Sequence, residues 1–265
     1  MALKTPKLLN EFYKKETKNV QVSHKILVLA HYIIFNTLSK IIPRYLVKNI
    51  FRNYIKLGFI QLKLTLKDSI IINHHLENYG QFLEIILKDV YKLKKLKKNS
   101  VVVDVGANIG LVSILAAKRF NAKKVISFEP CSDNFILLKK NIEVNDCKNI
   151  IINKFAISDK KGKTKLYLHG SGTHSLVRKG KKFELVKQTT LDEVLKNEPV
   201  IDLLKIDVEG AELKVLKGAN KTLEKTKKIA MELSRLCSHD EILQILKNKG
   251  FDVEINDNIL IAYRR

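Results

Sequence analysis

Residues 100–129 read SVVVDVGANIGLVSILAAKRFNAKKVISFE, in which two apolar runs flank a helical pattern. The run VVVDV is short, apolar and rich in β-branched residues, as expected of a strand buried on both faces. Residues Ile109–Phe120 have the apolar spacing of a helix, and KVISFE has the composition of a second strand. This strand–helix–strand order predicts an α/β sheet whose strands run parallel.

The same alternation continues to the C-terminus. Ser132–Asn145 predicts a second helix, and NIIINKFAI predicts a third strand. VIDLLKID and KKIAMEL add further strands, and GFDVEI with NILIAYR forms a final hairpin-like pair. We therefore expect residues 100–265 to form a doubly wound, mostly parallel sheet with an antiparallel edge strand. In such a sheet the ligand crevice lies beyond the C-terminal ends of the strands.

A glycine loop follows the first of these strands. Its sequence, DVGANIG, has the spacing D-x-G-x-x-x-G and places Gly106 and Gly110 where the chain turns from strand to helix. A dinucleotide fingerprint would have its middle glycine where Asn108 stands, and the G-K-[ST] of a P-loop is absent. The loop is therefore suited to an adenosyl ligand with an amino-acid tail, whose ammonium Asp104 could bind. The alternative is a tight turn without a ligand.

An acidic residue ends the second strand, 19 residues after the last glycine of the loop. Glu129 at this position can accept hydrogen bonds from both hydroxyls of a ribose, and Pro130 stiffens the turn that follows. The alternative is a solvated carboxylate at a helix N-terminus. The pairing of a glycine loop with this acid favours a cofactor that contains a nucleoside.

Three carboxylates follow an apolar strand within LLKIDVEGAE, residues 203–212. Asp207 lies where a doubly wound sheet has its crevice, and a carboxylate there is suited to orient or deprotonate a hydroxyl. The [DNS]-P-P-[YFW] segment of amino-directed nucleic-acid methyltransferases is absent. Glu209 and Glu212 have a second explanation, since acids also stabilise a helix N-terminus. Glu232, at the end of the AMEL strand, is a further candidate base or substrate ligand.

A polar loop, residues 170–176 with the sequence GSGTHSL, follows a predicted hairpin. His174 and Ser175 lie in this loop, and one explanation of the loop is an exposed connector. The remaining histidines lack the spacing of metal ligands, so we expect no metal site. A divalent ion held by Asp207, Glu209 and Glu232 is the alternative to that expectation.

Four segments, in this order along the chain, resemble the FkbM-type methyltransferase family. They are DVGANIGLVSILAAKRF, SFEPCSDNFILLKKNIEVN, NKFAISDKKGKTKLYL and LLKIDVEGAELKVLKGA, and the likeness runs from about Ser100 to Leu233. The resemblance implies a Rossmann-like class I fold and an S-adenosylmethionine-dependent O-methyltransferase. It also implies a hydroxyl acceptor, such as that of a sugar, glycan, glycolipid or polyketide-type small molecule.

The resemblance also assigns roles by motif position. The methionine end of the cofactor would be lined by Asp104, Gly106, Ala107, Asn108 and Gly110. The ribose would bind Glu129 next to Pro130, and the adenine would lie beside the turn that contains Ala156. The methyl group would face Asp207 and Glu209. In relatives a serine-rich loop at this place tends to cover the active site, so the resemblance also implies substrate contacts by His174 and Ser175. The candidates for the base that takes the acceptor proton are Asp207, Glu209, Glu232 and His174.

Residues 1–99 differ from the rest of the chain in charge. They hold 19 basic and 6 acidic residues, a net charge of +13. Their most apolar run, Ile26–Phe35, is too short for a membrane-spanning helix, which needs about 20 residues. A basic helical pattern follows and should end or kink at Pro43, and then come a hairpin, GFIQLKLTL with SIIINHH, and a helix over Asn78–Leu96. This extension could lie on an anionic membrane surface or pack against the catalytic domain.

The whole chain of 265 residues has a net charge of +22, which comes mainly from lysine because only seven residues are arginine. Two other functions remain as alternatives: an RNA methyltransferase, and a non-catalytic protein that keeps the cofactor fold to bind a partner. The few arginines and the lack of tryptophan disfavour nucleic acid as the partner. The chain has three cysteines without a CxxC pair and no recognisable secretory signal, which favours a cytoplasmic location. Peripheral attachment to a membrane is compatible with that location.

Overall fold

The computed structural model describes residues 62–66, 68–74, 79–169 and 173–265. The chain divides into two compact units between Lys88 and Asp89. The sequence predictions for Ile26–Phe35 and Pro43 lie outside the described residues. Within the described residues, no helix is both long enough and apolar enough to cross a membrane.

The described part of the first unit contains the predicted hairpin. β1 (Leu62–Thr65) pairs antiparallel with β2 (Ile71–His74), which confirms that prediction. A short helix, α1 (Tyr79–Phe82), follows and continues as a π-helical turn over Leu83–Leu87.

The prediction of one continuous helix over Asn78–Leu96 is wrong in its C-terminal half. The helical turns end at Leu87, and a separate 3₁₀ turn covers Leu93–Lys95. Asp89 has a positive φ of 51°, and its carboxylate accepts hydrogen bonds from the backbone N–H groups that open the 3₁₀ turn, at 2.6 Å from Leu93 N. A short acidic side chain that binds nearby backbone amides competes with helix formation, so the helix stops here.

The second unit is built on a large sheet with helices between its strands. In chain order its elements are β3 (Val101–Val105), α2 (Leu111–Ile114, continued by a π-helical turn over Leu115–Arg119), β4 (Lys124–Phe128), α3 (Ser132–Val144), β5 (Ile150–Asn153), β6 (Ala156–Ile157), β7 (Gly162–Tyr167), β8 (Phe183–Thr189), α4 (Leu191–Val194), β9 (Leu203–Ile206), α5 (Glu212–Lys217), α6 (Asn220–Glu224), β10 (Lys228–Glu232), α7 (His239–Asn248), β11 (Phe251–Asn256) and β12 (Ile259–Arg264).

The large sheet has seven strands in the order β11-β12-β10-β9-β3-β4-β5. Five neighbouring strands of this sheet, β10, β9, β3, β4 and β5, are parallel to one another. β12 lies between β10 and the edge strand β11 and runs antiparallel to both. This confirms the predicted doubly wound, mostly parallel sheet with an antiparallel pair at one side. The strand order first moves outward from β3 to β5 and then returns to continue with β9, so a crevice opens beyond the C-terminal ends of β3 and β9.

The prediction that NIIINKFAI forms a single strand is wrong. β5 stays in the large sheet, whereas β6 pairs parallel with β8 in a second sheet of order β6-β8-β7. Leu166 and Val186, on the inner side of this small sheet, pack with Ala156 and Cys131 in an apolar cluster of their own. The chain therefore leaves the large sheet after β5 and enters the small sheet at β6, although the apolar pattern is continuous across both strands.

The central strands are buried on both faces, which explains their continuous apolar sequences. Every residue of β3 and β9 is buried, including the charged side chains of Asp104 and Lys205. Side chains from α4, α5, α6 and α7 join those of the strands in one apolar cluster. Since charged groups removed from water must find partners within the protein, these two side chains are fixed in place close to the crevice.

Candidate active site

The sequence-predicted carboxylates come together at one edge of the large sheet. Parallel pairing sets Val105 of β3 opposite both Phe128 of β4 and Ile206 of β9. Each of these strands therefore ends at the same level, and the residues that follow them lie at a common edge. Glu129 and Asp207 come directly after two of the ends, although they are far apart in the sequence.

The glycine loop has a backbone that only glycine accommodates at two positions. Gly106 has a φ of 78°, and a Cβ added there would lie 1.8 Å from the backbone oxygen of Asp207. Gly110 has a φ of 91°, and a Cβ there would lie 2.5 Å from Cδ1 of Leu138 on α3. Approach to a ligand is one reason for these glycines, and their packing against the residue after β9 and against α3 is a second, independent one. Ala107, between them, is buried and donates its N–H to the carbonyl of Phe128 at 2.9 Å.

Asp104 lies beneath this loop and is fully buried. Nζ of Lys205 lies 3.1 Å from one of its oxygens, and the Ser113 hydroxyl donates to the other at 2.5 Å. The same ammonium donates to the carbonyl of Gly106 at 2.7 Å and lies 3.7 Å from the Asp207 carboxylate. Asp104 and Lys205 therefore form a buried ion pair that supports the loop from below.

Lys205 was missed in the sequence analysis, although its position carried a signal. It stands in the otherwise apolar strand LLKI, and a lysine is rarely buried without a partner. Burial lowers the pKa of Lys205, but the carboxylates of Asp104 and Asp207 outweigh that effect and raise it above its ordinary value. The side chain is therefore a permanent cation that links both acids.

Glu129 is held by two backbone amides. One carboxylate oxygen accepts from the N–H of Asn108 in the glycine loop at 2.8 Å, and the other accepts from the N–H of Cys131 at 2.9 Å, across Pro130. Burial raises the pKa of Glu129 to about 7, although both N–H groups lower it. Each oxygen can accept a second hydrogen bond, so the carboxylate is oriented for a further donor.

The turn around Ala156 follows β5, the neighbour of β4 in the sheet. Ala156 itself is buried and pairs with Gln188 of β8. The structure thus places this turn on the Glu129 side of the crevice, next to the cluster that contains Cys131.

Tyr91 joins the two catalytic candidates at the ends of β9 and β10. Its hydroxyl donates to a carboxylate oxygen of Asp207 at 3.1 Å and lies 3.4 Å from an oxygen of Glu232. The other oxygen of Glu232 accepts from Nδ2 of Asn258 at 2.8 Å. Lys228 fixes the backbone of this segment, because its Nζ donates to the carbonyl of Tyr91 at 3.0 Å. Neither Tyr91 nor Asn258 was singled out from the sequence, since both stand in ordinary apolar or turn patterns.

The Tyr91 phenol stays protonated at neutral pH. Burial, followed by the charges of Asp207 and Glu232, raises its pKa well above the ordinary value. A phenol has one proton, so it can donate to only one of the two carboxylates at a time.

Glu209 lies in the turn after Asp207 and has a positive φ of 51°. Burial and the charge of Asp207 raise the pKa of Glu209 to about 7. Glu212 is buried, and its carboxylate accepts from the N–H of Gly210 at 2.9 Å, so it shapes this turn.

Ser175 ties the polar loop to the same turn. Its hydroxyl donates to the carbonyl of Glu209 at 2.6 Å and accepts from the N–H groups of Val177 and Arg178. These backbone contacts give the buried Ser175 a structural role, and its predicted contact with substrate stays a prediction. His174, next to it, accepts from a backbone N–H through Nδ1 at 3.3 Å. Residues 170–172 of the loop lie outside the described residues.

No group of histidine, cysteine and acidic side chains in the described part of the chain has an arrangement that could hold a metal ion. The acids of the crevice instead interact with Lys205, Tyr91, Asn258 and backbone amides. The expectation of no metal site, and the alternative of a divalent ion at Asp207, both stay predictions.

Residues 104–253 match the family described as the Methyltransferase FkbM domain. The chain belongs to this family. It is therefore an S-adenosylmethionine-dependent methyltransferase, as the four sequence segments indicated. The matched residues begin at Asp104 and include the glycine loop, Glu129, Asp207 and Glu232, whereas Tyr91 precedes them and Asn258 follows them.

Similar proteins include two curated methyltransferases. The chain is 29% identical over 214 residues to methyltransferase sdnD of Sordaria araneosa, which covers 66% of this chain and 83% of that protein. It is 26% identical over 168 residues to hexuronic acid methyltransferase AglP of Haloferax volcanii, which covers 62% of this chain and 68% of that protein. A crystal structure of methyltransferase FkbM from Methylobacillus flagellatus KT is 18% identical, with a TM-score of 0.48, and the likeness covers 64% of this chain and 44% of that one.

Proposed function

We propose that the protein transfers a methyl group from S-adenosylmethionine to a hydroxyl of a sugar, glycan or glycolipid. The observation that carries this proposal is the pair of carboxylates, Asp207 and Glu232, that share the Tyr91 hydroxyl at the open edge of the sheet. A hydroxyl acceptor must lose a proton during transfer, and such a pair is suited to receive it. The similarity to a hexuronic acid methyltransferase supports a carbohydrate acceptor.

The charge of the crevice fits the cofactor. S-adenosylmethionine carries a sulfonium and an ammonium. The strand ends present Glu129, Asp207 and Glu232, with the buried Asp104 beneath them, in a protein with a net charge of +22. Lys205 compensates only part of this negative charge, so a cationic ligand is favoured there. When bound, the cofactor supplies a methyl group made electrophilic by its sulfonium.

The glycine loop and Glu129 are the residues that would hold this cofactor. Glu129 is already oriented by the amides of Asn108 and Cys131 and can accept from ribose hydroxyls. The turn around Ala156 follows the neighbouring strand and would contact the adenine. Asp104 is paired with Lys205 beneath the loop. It would therefore act on the ammonium of the ligand through the electrostatic field of this ion pair, without direct contact.

Asp207 is the residue best placed to orient and deprotonate the acceptor. About a quarter of its side chain is exposed (23%), whereas Asp104 is fully buried. The acceptor proton moves to Asp207 and from there to the Tyr91 oxygen, while the Tyr91 proton moves to Glu232. Asp207 and Tyr91 each give up one proton as they gain one, and the proton of the acceptor ends on Glu232.

The test is incubation of the protein with S-adenosylmethionine that carries a labelled methyl group and with separate glycan, lipid and RNA fractions of the source cell. We expect label in the glycan or lipid fraction. Where the lipid fraction is labelled, chemical or enzymatic release of its carbohydrate should remove the label from the lipid. Asp207→Asn serves as the matched control and should transfer little label. Label in RNA alone would overturn the proposed acceptor, and so would the absence of label from the glycan and lipid fractions.

The partner predicted for residues 1–99, an anionic membrane surface, stays a prediction. Most of the residues that motivated it, including Ile26–Phe35, lie outside the described residues. The expected cytoplasmic location also stays a prediction.

A further inference from the structure

The antiparallel pair β7–β8 carries a face whose composition differs from that of the surrounding surface. Pairing sets Tyr167 opposite Phe183, Lys165 opposite Leu185, and Lys163 opposite Lys187. Side chains alternate along each strand, so Leu166 and Val186 point inward and are buried. The opposite side, which we name the outer hairpin face, consists of Lys163, Lys165, Tyr167, Phe183, Leu185 and Lys187.

Two large apolar side chains on this face are open to solvent. Leu185 is 69% exposed and Phe183 is 45% exposed. Nζ of Lys165 lies 4.4 Å from the centre of the Phe183 ring, and the Tyr167 ring meets it edge-on at 6.2 Å. The apolar groups are therefore contiguous across both strands, with lysines interleaved between them.

The outer hairpin face has no negative charge of its own. The acidic residue of the two strands, Glu184, lies on the opposite side of β8, where its carboxylate accepts from the Ser132 hydroxyl at 2.8 Å. The residues that lead into β8 add Lys181 and Lys182, both exposed. On the outer hairpin face the apolar side chains are interleaved with lysines alone, which is complementary to a surface that is apolar inside and anionic at its boundary.

We propose that the outer hairpin face docks on an anionic lipid surface. Phe183 and Leu185 would enter the boundary between headgroups and acyl chains, and the lysines would lie at the level of the anionic headgroups. Each lysine near such a surface contributes about 1 kcal/mol. The partner differs from the acceptor of methyl transfer, so the proposal does not depend on which hydroxyl is methylated.

A nucleic acid fits this face less well. Leu185, the most exposed of its apolar side chains, has no π-face on which a base can stack. Phe183 has such a face, but Nζ of Lys165 lies over one side of its ring, 4.4 Å from the centre. The two strands contain no arginine, the residue that most often recognises phosphates and bases.

Hydrogen bonds link the hairpin to the candidate active site through Ser175. Tyr167 and Ser175 exchange two backbone hydrogen bonds, at 2.8 and 3.1 Å. The Ser175 hydroxyl in turn donates to the carbonyl of Glu209, two residues after Asp207. A lipid surface bound to the outer hairpin face would therefore be one loop away from the turn that follows the candidate catalytic residue.

The test is sedimentation of the full chain with phosphatidylcholine vesicles that either contain or lack phosphatidylglycerol. We expect binding to the anionic vesicles, and a decrease of about tenfold for Leu185→Ser, from the loss of one inserted apolar side chain. The double variant Lys165→Gln, Lys187→Gln should bind about 30-fold more weakly, at about 1 kcal/mol for each lysine.

Two matched controls separate the face from general effects. Ile136→Ser removes an apolar side chain of similar exposure (65%) from α3, and Lys247→Gln removes an exposed lysine from α7. Both should bind as the wild type does, and thermal unfolding should show that all variants fold. Wild-type binding by the Leu185 and lysine variants would overturn the proposal. A gel shift with RNA that the same variants abolish, without vesicle binding, would overturn it in favour of nucleic acid.

Discussion

Replacement of Glu129 by glutamine tests whether this carboxylate is the buried, titrating ligand group that the geometry indicates. The residue is 5% exposed, and burial raises its pKa to about 7. The folded protein therefore binds this proton more tightly than the unfolded chain, whose glutamate pKa is about 4.3. The stability that Glu129 contributes is fully present below the unfolded pKa and is lost as the pH rises through about 7.

The magnitude follows from the shift. A change from 4.5 to about 7 is about 2.5 pKa units, and each unit corresponds to 1.36 kcal/mol, so about 3 kcal/mol is at stake. Glu129→Gln removes this titration, but its amide NH₂ must face one of the two N–H groups of Asn108 and Cys131. That mismatch costs about 1–3 kcal/mol at every pH.

The pH dependence separates these two effects. We expect the free energy of unfolding of Glu129→Gln, relative to wild type, to rise by about 2–3 kcal/mol between about pH 5 and about pH 8. The assay is urea unfolding of the ligand-free proteins at several pH values. Glu209, whose pKa is also raised to about 7, titrates in both proteins and cancels. A difference in stability that stays constant over this range would refute the reasoning.

The other predictions concern the loop and the catalytic pair. Gly106 and Gly250 have nearly the same φ, +78° and +77°, but of these two only Gly106 has other atoms within reach of an added Cβ. In urea unfolding, Gly106→Ala should therefore lower the free energy of unfolding by at least about 2 kcal/mol more than Gly250→Ala does. Equal losses would contradict the packing role of Gly106. Asp207→Asn should slow methyl transfer about 10²-fold or more while calorimetry shows little change in S-adenosylhomocysteine affinity; a near-wild-type rate would leave Glu232 as the better base. Tyr91→Phe keeps the ring but should lower kcat and shift the pH–rate profile, and an unchanged profile would limit Tyr91 to packing.

The sequence by itself determined the type of sheet and the location of its crevice. VVVDV, KVISF and LLKI are apolar because strands in the middle of a parallel sheet are buried on both faces. The positions of Glu129 and Asp207 followed directly, since residues after parallel strands meet at one edge. Local pattern was enough here because burial and strand direction are the same for every member of the fold.

Only the tertiary structure decided which side chains interact within that crevice. The pairing of Asp104 with Lys205, and the contact of Tyr91 with Asp207 and Glu232, join residues from separate strands and loops. Tyr91 lies in a run whose apolar spacing predicted a helix, and the side chain of Asp89 overrides that preference. Periodicity reports how much of each residue is buried, but it carries no information about which remote residue will be the partner. That choice depends on the register and order of the strands, which bring distant segments within hydrogen-bonding distance.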